Sequence, residues 1–178
     1  MEFKLLEKNV KDIKLENVKS IIEESNMFNE YRPYNDESGL FYYDANTALR
    51  SWMTSYLPPS LREYAEISVC KIINGVLPHK DHDCSSKINY YLKSGNAKTV
   101  FFEDPQISGY SYHHDEKMHM YDIKKNRLKR LSEFTADEGD IFLLNTSKIH
   151  AVFMNQADIR IIVSASFNLS FEKVLNLL

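Results

Sequence analysis

From residue 65 onward the apolar positions fall in short runs rich in Val, Ile, Tyr and Phe, separated by clusters of Gly, Asn, Asp and Ser. This is how strands and their turns read, because branched and aromatic side chains suit a pleated surface while the small polar residues suit tight turns. The runs predict strands over 66–74, 86–93, 98–103, 117–123, 127–133, 140–145, 148–154 and 159–168. Lys124 to Asn126 reads as a hairpin turn, and Asn155-Gln156-Ala157-Asp158 as a second one. Earlier in the chain the period changes. Ile13, Leu15, Val18, Ile21 and Ile22 recur at helical spacing and predict an amphipathic helix over residues 11–25. A second helix is predicted from Ala45 to Tyr56, where Pro58 and Pro59 stop it. Eight short strands preceded by helices, with no βαβ alternation, predict a mainly β (α+β) chain. Its core is a double-stranded β-helix, or jelly roll, with the N-terminal helices packed on one outer face.

Length limits this to one unit: 178 residues with 43% apolar content bury one sizeable core. The expected division is a helical support over 1–64, the jelly-roll core over 65–168 and a C-terminal tail over 169–178. A formal charge of −3 gives no general attraction to phosphate backbones or anionic membranes. The basic run Lys124-Lys125-Asn126-Arg127-Leu128-Lys129-Arg130 lacks aromatic stacking residues, so it is expected to be a solvated hairpin, and no nucleic-acid partner is expected. Two isolated cysteines, Cys70 and Cys84, argue against a disulfide framework or a thiolate zinc site and fit a reducing compartment. No membrane span or signal-like apolar segment is apparent, so a cytoplasmic location is expected. Oligomeric state leaves no mark in the sequence.

Candidate chemistry gathers at Leu77-Pro78-His79-Lys80-Asp81. In extended chain, side chains two apart point the same way, so His79 and Asp81 can aim an imidazole and a carboxylate at one point. Alone the motif is weak, and a second His-x-Asp occurs at His113 and Asp115. The first gains weight from residues further along the chain: His150 lies in one predicted strand and Arg160 opens the next, ten residues later. If a hairpin joins those strands, His150 and Arg160 share one interior face at different depths. Two histidines and one carboxylate leave three positions of an iron open, the arrangement of non-heme Fe(II) oxygenases. A guanidinium deeper in the same barrel suits a carboxylate in two-point fashion. Five predicted strands separate Asp81 from His150, enough to cross between sheets and return to the same mouth; only three lie between Asp115 and His150.

On these residues the chain resembles the 2-oxoglutarate- and Fe(II)-dependent dioxygenases, particularly small members similar to prolyl hydroxylases. The resemblance rests on His79 and Asp81, the run Lys87-Ile88-Asn89-Tyr90-Tyr91-Leu92, the Gly-Asp-Ile-Phe-Leu-Leu-Asn run from Gly139, His150 and Arg160. It implies His79, Asp81 and His150 as iron ligands and Arg160 as the partner of the far carboxylate of 2-oxoglutarate. It also implies a co-substrate contact from Tyr91 or its neighbour Tyr90, of which strand alternation lets only one face inward. Many relatives carry a hydroxyl residue two positions after the arginine; here that position is Ile162, with Ser164 and Ser166 later on the same face. Ser164 is therefore a candidate for the co-substrate site. The implied reaction couples decarboxylation of 2-oxoglutarate by O₂, giving succinate and CO₂, to hydroxylation of an organic substrate, either a peptidyl side chain such as proline or a small molecule.

Other residues admit plainer readings. His82, Asp83 and Cys84 follow the ligands closely but are assigned no role. The segment Tyr110 to His119, with His113, His114, Asp115 and His119, is expected to be a flexible polar loop; the functional alternatives are a second metal site and a lid with substrate contacts, and in the latter His113 and His114 would face the substrate. Trp52 is a core or sheet-facing residue of the second helix. Two other functions remain compatible with the same fold: a cupin-like metal enzyme that does not use 2-oxoglutarate, and a non-catalytic binding module with structural histidines.

Overall fold

In the computed structural model, residues 1–10, 27–31, 39–105, 111–114, 118–155 and 158–178 are described. The helix expected over 11–25 lies outside them. The strands are β1 (Phe3–Glu7), β2 (Met27–Tyr31), β3 (Gly39–Asp44), β4 (Glu66–Ile73), β5 (Val76–Asp81), β6 (Ser86–Lys93), β7 (Lys98–Phe102), β8 (Ser111–His114), β9 (Met118–Tyr121), β10 (Arg130–Thr135), β11 (Ile141–Leu144), β12 (His150–Phe153) and β13 (Ile159–Phe167). The helices are α1 (Thr47–Tyr56), α2 (Pro59–Arg62) and α3 (Phe171–Leu177). A seven-stranded sheet runs β1-β11-β6-β13-β4-β3-β2 and a six-stranded sheet runs β10-β7-β12-β5-β9-β8. All their pairings are antiparallel. The chain is a jelly roll, as its pattern predicts.

Alternation along the strands divides the apolar residues into layers. Ile88, Tyr90 and Leu92 of β6 and Val163, Ala165 and Phe167 of β13 face outward, where they pack with Leu49 and Met53 of α1, Leu61 of α2 and Phe171 and Val174 of α3. Trp52 lies over this face with its ring 4.7 Å from that of Tyr90. The alternate residues, among them Tyr91, Phe101, Phe142, Val152 and Ile162, fill the space between the sheets. Residues 169–178 are more than a tail: Ser170 caps α3 by accepting a hydrogen bond from Lys173 N at 3.3 Å, and Phe171 and Val174 bury the helix on the sheet.

Two predicted hairpins are not hairpins. β12 and β13 lie in different sheets, so they do not pair with each other. β9 and β10 are separated by β5, β12 and β7, so residues 122–129 pass over the outer face of the six-stranded sheet. There Leu128 covers a small apolar cluster of Val100, Phe102, Ile149 and Ala151, while Lys124, Lys125, Arg127 and Lys129 are exposed. A polar turn looks the same in sequence whether its flanking strands pair or part. Within the segment 110–119 expected as a loop, the described residues are strand, since β8 and β9 pair antiparallel in that sheet. No helix among the described residues is long and apolar enough to cross a membrane.

Candidate metal centre

His79 and Asp81 project from β5 and His150 from the start of β12, and the two histidines are direct cross-strand partners. The register tightens just beyond them. Val152 pairs with Val76, so three steps on β5 match two on β12, a bulge at Leu77-Pro78. Proline, which lacks an N–H, suits that position. The bulge turns the Leu77 carbonyl to accept a hydrogen bond from His79 Nδ1 at 2.7 Å. His150 repeats the device, with Nδ1 2.9 Å from the Lys148 carbonyl. A carbonyl only accepts, so both Nδ1 atoms carry the proton and both Nε2 lone pairs are left for a cation.

Ligand atoms of His79, Asp81 and His150 all lie within 4.8 Å of one another, close enough for one cation to touch all three. Among the described residues this is the grouping of His, Cys, Asp and Glu with metal-site spacing. His79 Nε2 stands 3.5 Å from Asp81 Oδ1, and the two imidazole centroids are 4.2 Å apart. Burial, reinforced by neighbouring His79, pulls the His150 pKa down to about 3 against the opposing pull of Asp81. His150 is thus neutral, as a ligand must be. Burial alone would push the Asp81 carboxyl up. The Lys87 ammonium, the largest of the opposing causes, outweighs it and holds Asp81 well below the usual carboxylate range. Neither cysteine competes for a cation, since burial, before any other cause, pushes both thiols up to about 12.

Lys87 is a neighbour that neither residue type nor spacing marks in the sequence. Its Nζ lies 2.8 Å from Asp81 Oδ2, the oxygen turned away from His79, and 3.5 Å from the Tyr42 hydroxyl. Parity along β6 is the signal that could have found it: if Tyr91 faces inward, so do Asn89 and Lys87. Cys84 also reaches Asp81, its Sγ 3.5 Å from Oδ2.

The ligands open into a cavity between the sheets where the centre of a water molecule can move through about 60 Å³. Arg160 forms its deep end. It is 1% exposed and reaches in from β13, in the sheet opposite His150, so the two share the cavity by facing across it. Nε donates to the Ser94 carbonyl at 3.0 Å, one terminal nitrogen to Thr99 Oγ1 at 2.8 Å and the other to the Ala97 carbonyl. The guanidinium carbon lies 5.1 Å from the centre of the Tyr91 ring. Three of its five N–H groups are accounted for, and among the described residues no carboxylate pairs with it. A buried cation without a counter-ion is costly, so Arg160 stands at an energetic disadvantage that an anion in the cavity would relieve.

The structure separates the two tyrosines. Tyr91 lines the cavity, its hydroxyl hydrogen-bonded to Asn89 and Thr99. Tyr90 is on the opposite face, donating to the Val10 carbonyl at 2.8 Å beneath α1, and cannot reach a co-substrate. Ser164 does line the cavity and donates to Asn89 Oδ1 at 2.7 Å. His113 and His114 lie on β8 with His113 opposite His119, but their side chains are outside the described residues.

No protein-family model and no curated protein sequence matches the chain. Solved structures do resemble it. HygX from Streptomyces hygroscopicus, crystallised with nickel, 2-oxoglutarate and hygromycin B, aligns with a TM-score of 0.57 at 12% identity over 92% of this chain and 81% of that one. SnoK, a non-heme α-ketoglutarate-dependent carbocyclase from nogalamycin biosynthesis, aligns with a TM-score of 0.58 at 9% identity over 93% of this chain and 79% of that one. For E. coli ycfD the TM-score is 0.52 at 12% identity, and the match covers 92% of this chain but only 49% of that one. At such identities the likeness establishes the fold.

Proposed function

We propose that the protein is an Fe(II)- and 2-oxoglutarate-dependent dioxygenase that hydroxylates a small organic molecule, releasing succinate and CO₂. The observation that carries this reading is one cavity lined both by a His-Asp-His donor set and by a buried guanidinium that has no counter-ion among the described residues. A metal enzyme that did not bind a dicarboxylate would have no use for Arg160, and a binding module would have none for three converging ligands. The donor set fits the metal: two imidazoles and one carboxylate leave three positions open. HygX and SnoK, which share the fold, are described with 2-oxoglutarate, and HygX with a small-molecule ligand, which favours a small molecule over a peptide.

When bound, iron supplies the O₂ chemistry that couples oxidation of 2-oxoglutarate to that of the substrate. The chain's own residues do the rest. The Leu77 and Lys148 carbonyls hold the imidazoles in the ligating tautomer, and Lys87 turns Asp81 so that Oδ1 faces the histidines. Arg160, braced by Thr99 and two carbonyls, takes the far carboxylate of the co-substrate with Tyr91 alongside. Leu40, Ile72, Val76, Val152 and Ile162 supply apolar walls that limit water.

Anaerobic addition of Fe(II) and then 2-oxoglutarate tests the reading. A visible metal-to-ligand charge-transfer band is expected for the wild type and is lost in Arg160→Ala. Iron binding with no new band would favour an enzyme that does not use 2-oxoglutarate, and no iron binding would favour the binding module. The product of turnover decides whether the outcome is hydroxylation.

A further inference from the structure

Lys87 is expensive where it stands. A lysine ammonium is a strongly hydrated charge, and this one is largely buried, its side chain 12% exposed, on the wall of the cavity. Its ion pair with Asp81 cancels the one negative charge of the donor set. Arg160 adds a positive charge that no described carboxylate offsets. Among the described residues lining the cavity, the protein therefore brings a net charge of one positive. A divalent cation and a dianionic co-substrate cancel each other and leave that charge in place. A site meant for a neutral substrate would need no such lysine, because Asp81 could be oriented by a neutral donor.

From this we infer that the primary substrate is a small organic monoanion, a carboxylic acid, whose carboxylate docks on Lys87. The inference rests on the proposed function and deepens it. An ammonium has three N–H donors. One is committed to Asp81 Oδ2 at 2.8 Å and a second reaches Tyr42 at 3.5 Å, which leaves one for a ligand. Asp81 makes Lys87 the bridge between the donor set and the bound acid, so the acid is held next to the residues that would carry the metal. The apolar side chains of Leu40 and Ile72 suit the hydrocarbon part of such a molecule.

Acetate and acetamide are the probes, being isosteric, small and different in charge. Each is titrated into the anaerobic protein saturated with Fe(II) and 2-oxoglutarate, and perturbation of the charge-transfer band is read. Acetate should shift the band saturably and acetamide should not. A charge-assisted hydrogen bond of ordinary strength predicts that Lys87→Met weakens acetate by about tenfold or more, while Lys87→Arg recovers most of the loss. A band that forms but ignores acetate, or answers acetamide equally, overturns the substrate class and leaves the enzyme class standing. So does an acetate response unchanged in Lys87→Met. Failure of the band to form in the wild type removes both readings.

Discussion

His150 carries two predictions at the scale of the single residue. With one of three ligands gone, His150→Ala should lower affinity for Fe(II), or for Ni(II) as a stable substitute, by more than about a hundredfold, since even residues that only support ligands are worth 10–100-fold. Calorimetric titration measures this, and an unchanged far-ultraviolet circular dichroism spectrum would show that the fold survives. The second concerns acid. An unfolded histidine titrates near 6.5, whereas His150 in the fold holds out to about 3. Between those values the unfolded chain binds a proton that the folded one refuses, so the metal-free protein loses stability as pH falls from about 6.5 toward 3. The full contribution is on the order of 5 kcal/mol. Asp81 is depressed instead below its ordinary 3.8, and its share is lost only as pH falls further, through its folded value. Urea melts at pH 7, 5.5 and 4.5 should show the decline, and His150→Gln should flatten it. At this scale the sequence was informative about ligands and silent about their partners. His79, Asp81, His150 and Arg160 stand out by type and spacing, but Lys87, Asn89 and Thr99 are ordinary strand residues until the fold shows which face they occupy.

At the scale of elements, the weak point is the link that delivers β5 to the site. Asn74 and Gly75 join β4 to β5 with positive φ at both, 58° and 88°. A Cβ on Gly75 would collide with the Val152 carbonyl oxygen of β12. Gly75→Ala should therefore cost more than the ~1 kcal/mol of a left-handed conformation alone, and a denaturant melt would reveal it. Because β5 holds two ligands, metal affinity should fall as well. β5 is also where the pattern gave least warning. Its sequence Val-Leu-Pro-His-Lys-Asp reads as a polar turn, since its inward face is filled by ligands in place of apolar residues. β1, five residues with two charged among them, is similarly faint. β3 lies in the stretch expected to be helical support and is absent from the expected strands, although Leu40-Phe41-Tyr42-Tyr43 between Gly39 and Asp44 carries a strand signature. β4, β6, β7, β11 and β13 emerged within about two residues because their two faces both meet apolar layers, and a strand buried on both sides is hydrophobic throughout.

For the whole molecule, the site straddles the sandwich: His79, Asp81 and His150 belong to one sheet, Lys87 and Arg160 to the other. Unfolding parts them, so a cation that binds only the assembled set must stabilise the fold. At a free metal concentration about a hundred times its Kd the gain is about 2.7 kcal/mol. Thermal melts with and without Ni(II) should differ by several degrees, and the difference should vanish in His150→Ala. That the sheets oppose each other was readable from strand count and helix placement, but their connections were not. Whether β12 and β13 pair or join different sheets depends on which neighbours each strand finds, and those lie far away in sequence.

The direct pairing of His79 with His150 has one more consequence. Main-chain groups form equally good ladders when two strands slide past each other by one residue, but the slide turns every side chain to the opposite side. Residue 150 would then point into the apolar cluster on the outer face and the cation would lose a ligand. Metal capture thus rewards only chains whose strands have joined in step, and it acts as a proofreader of assembly before it serves any chemistry.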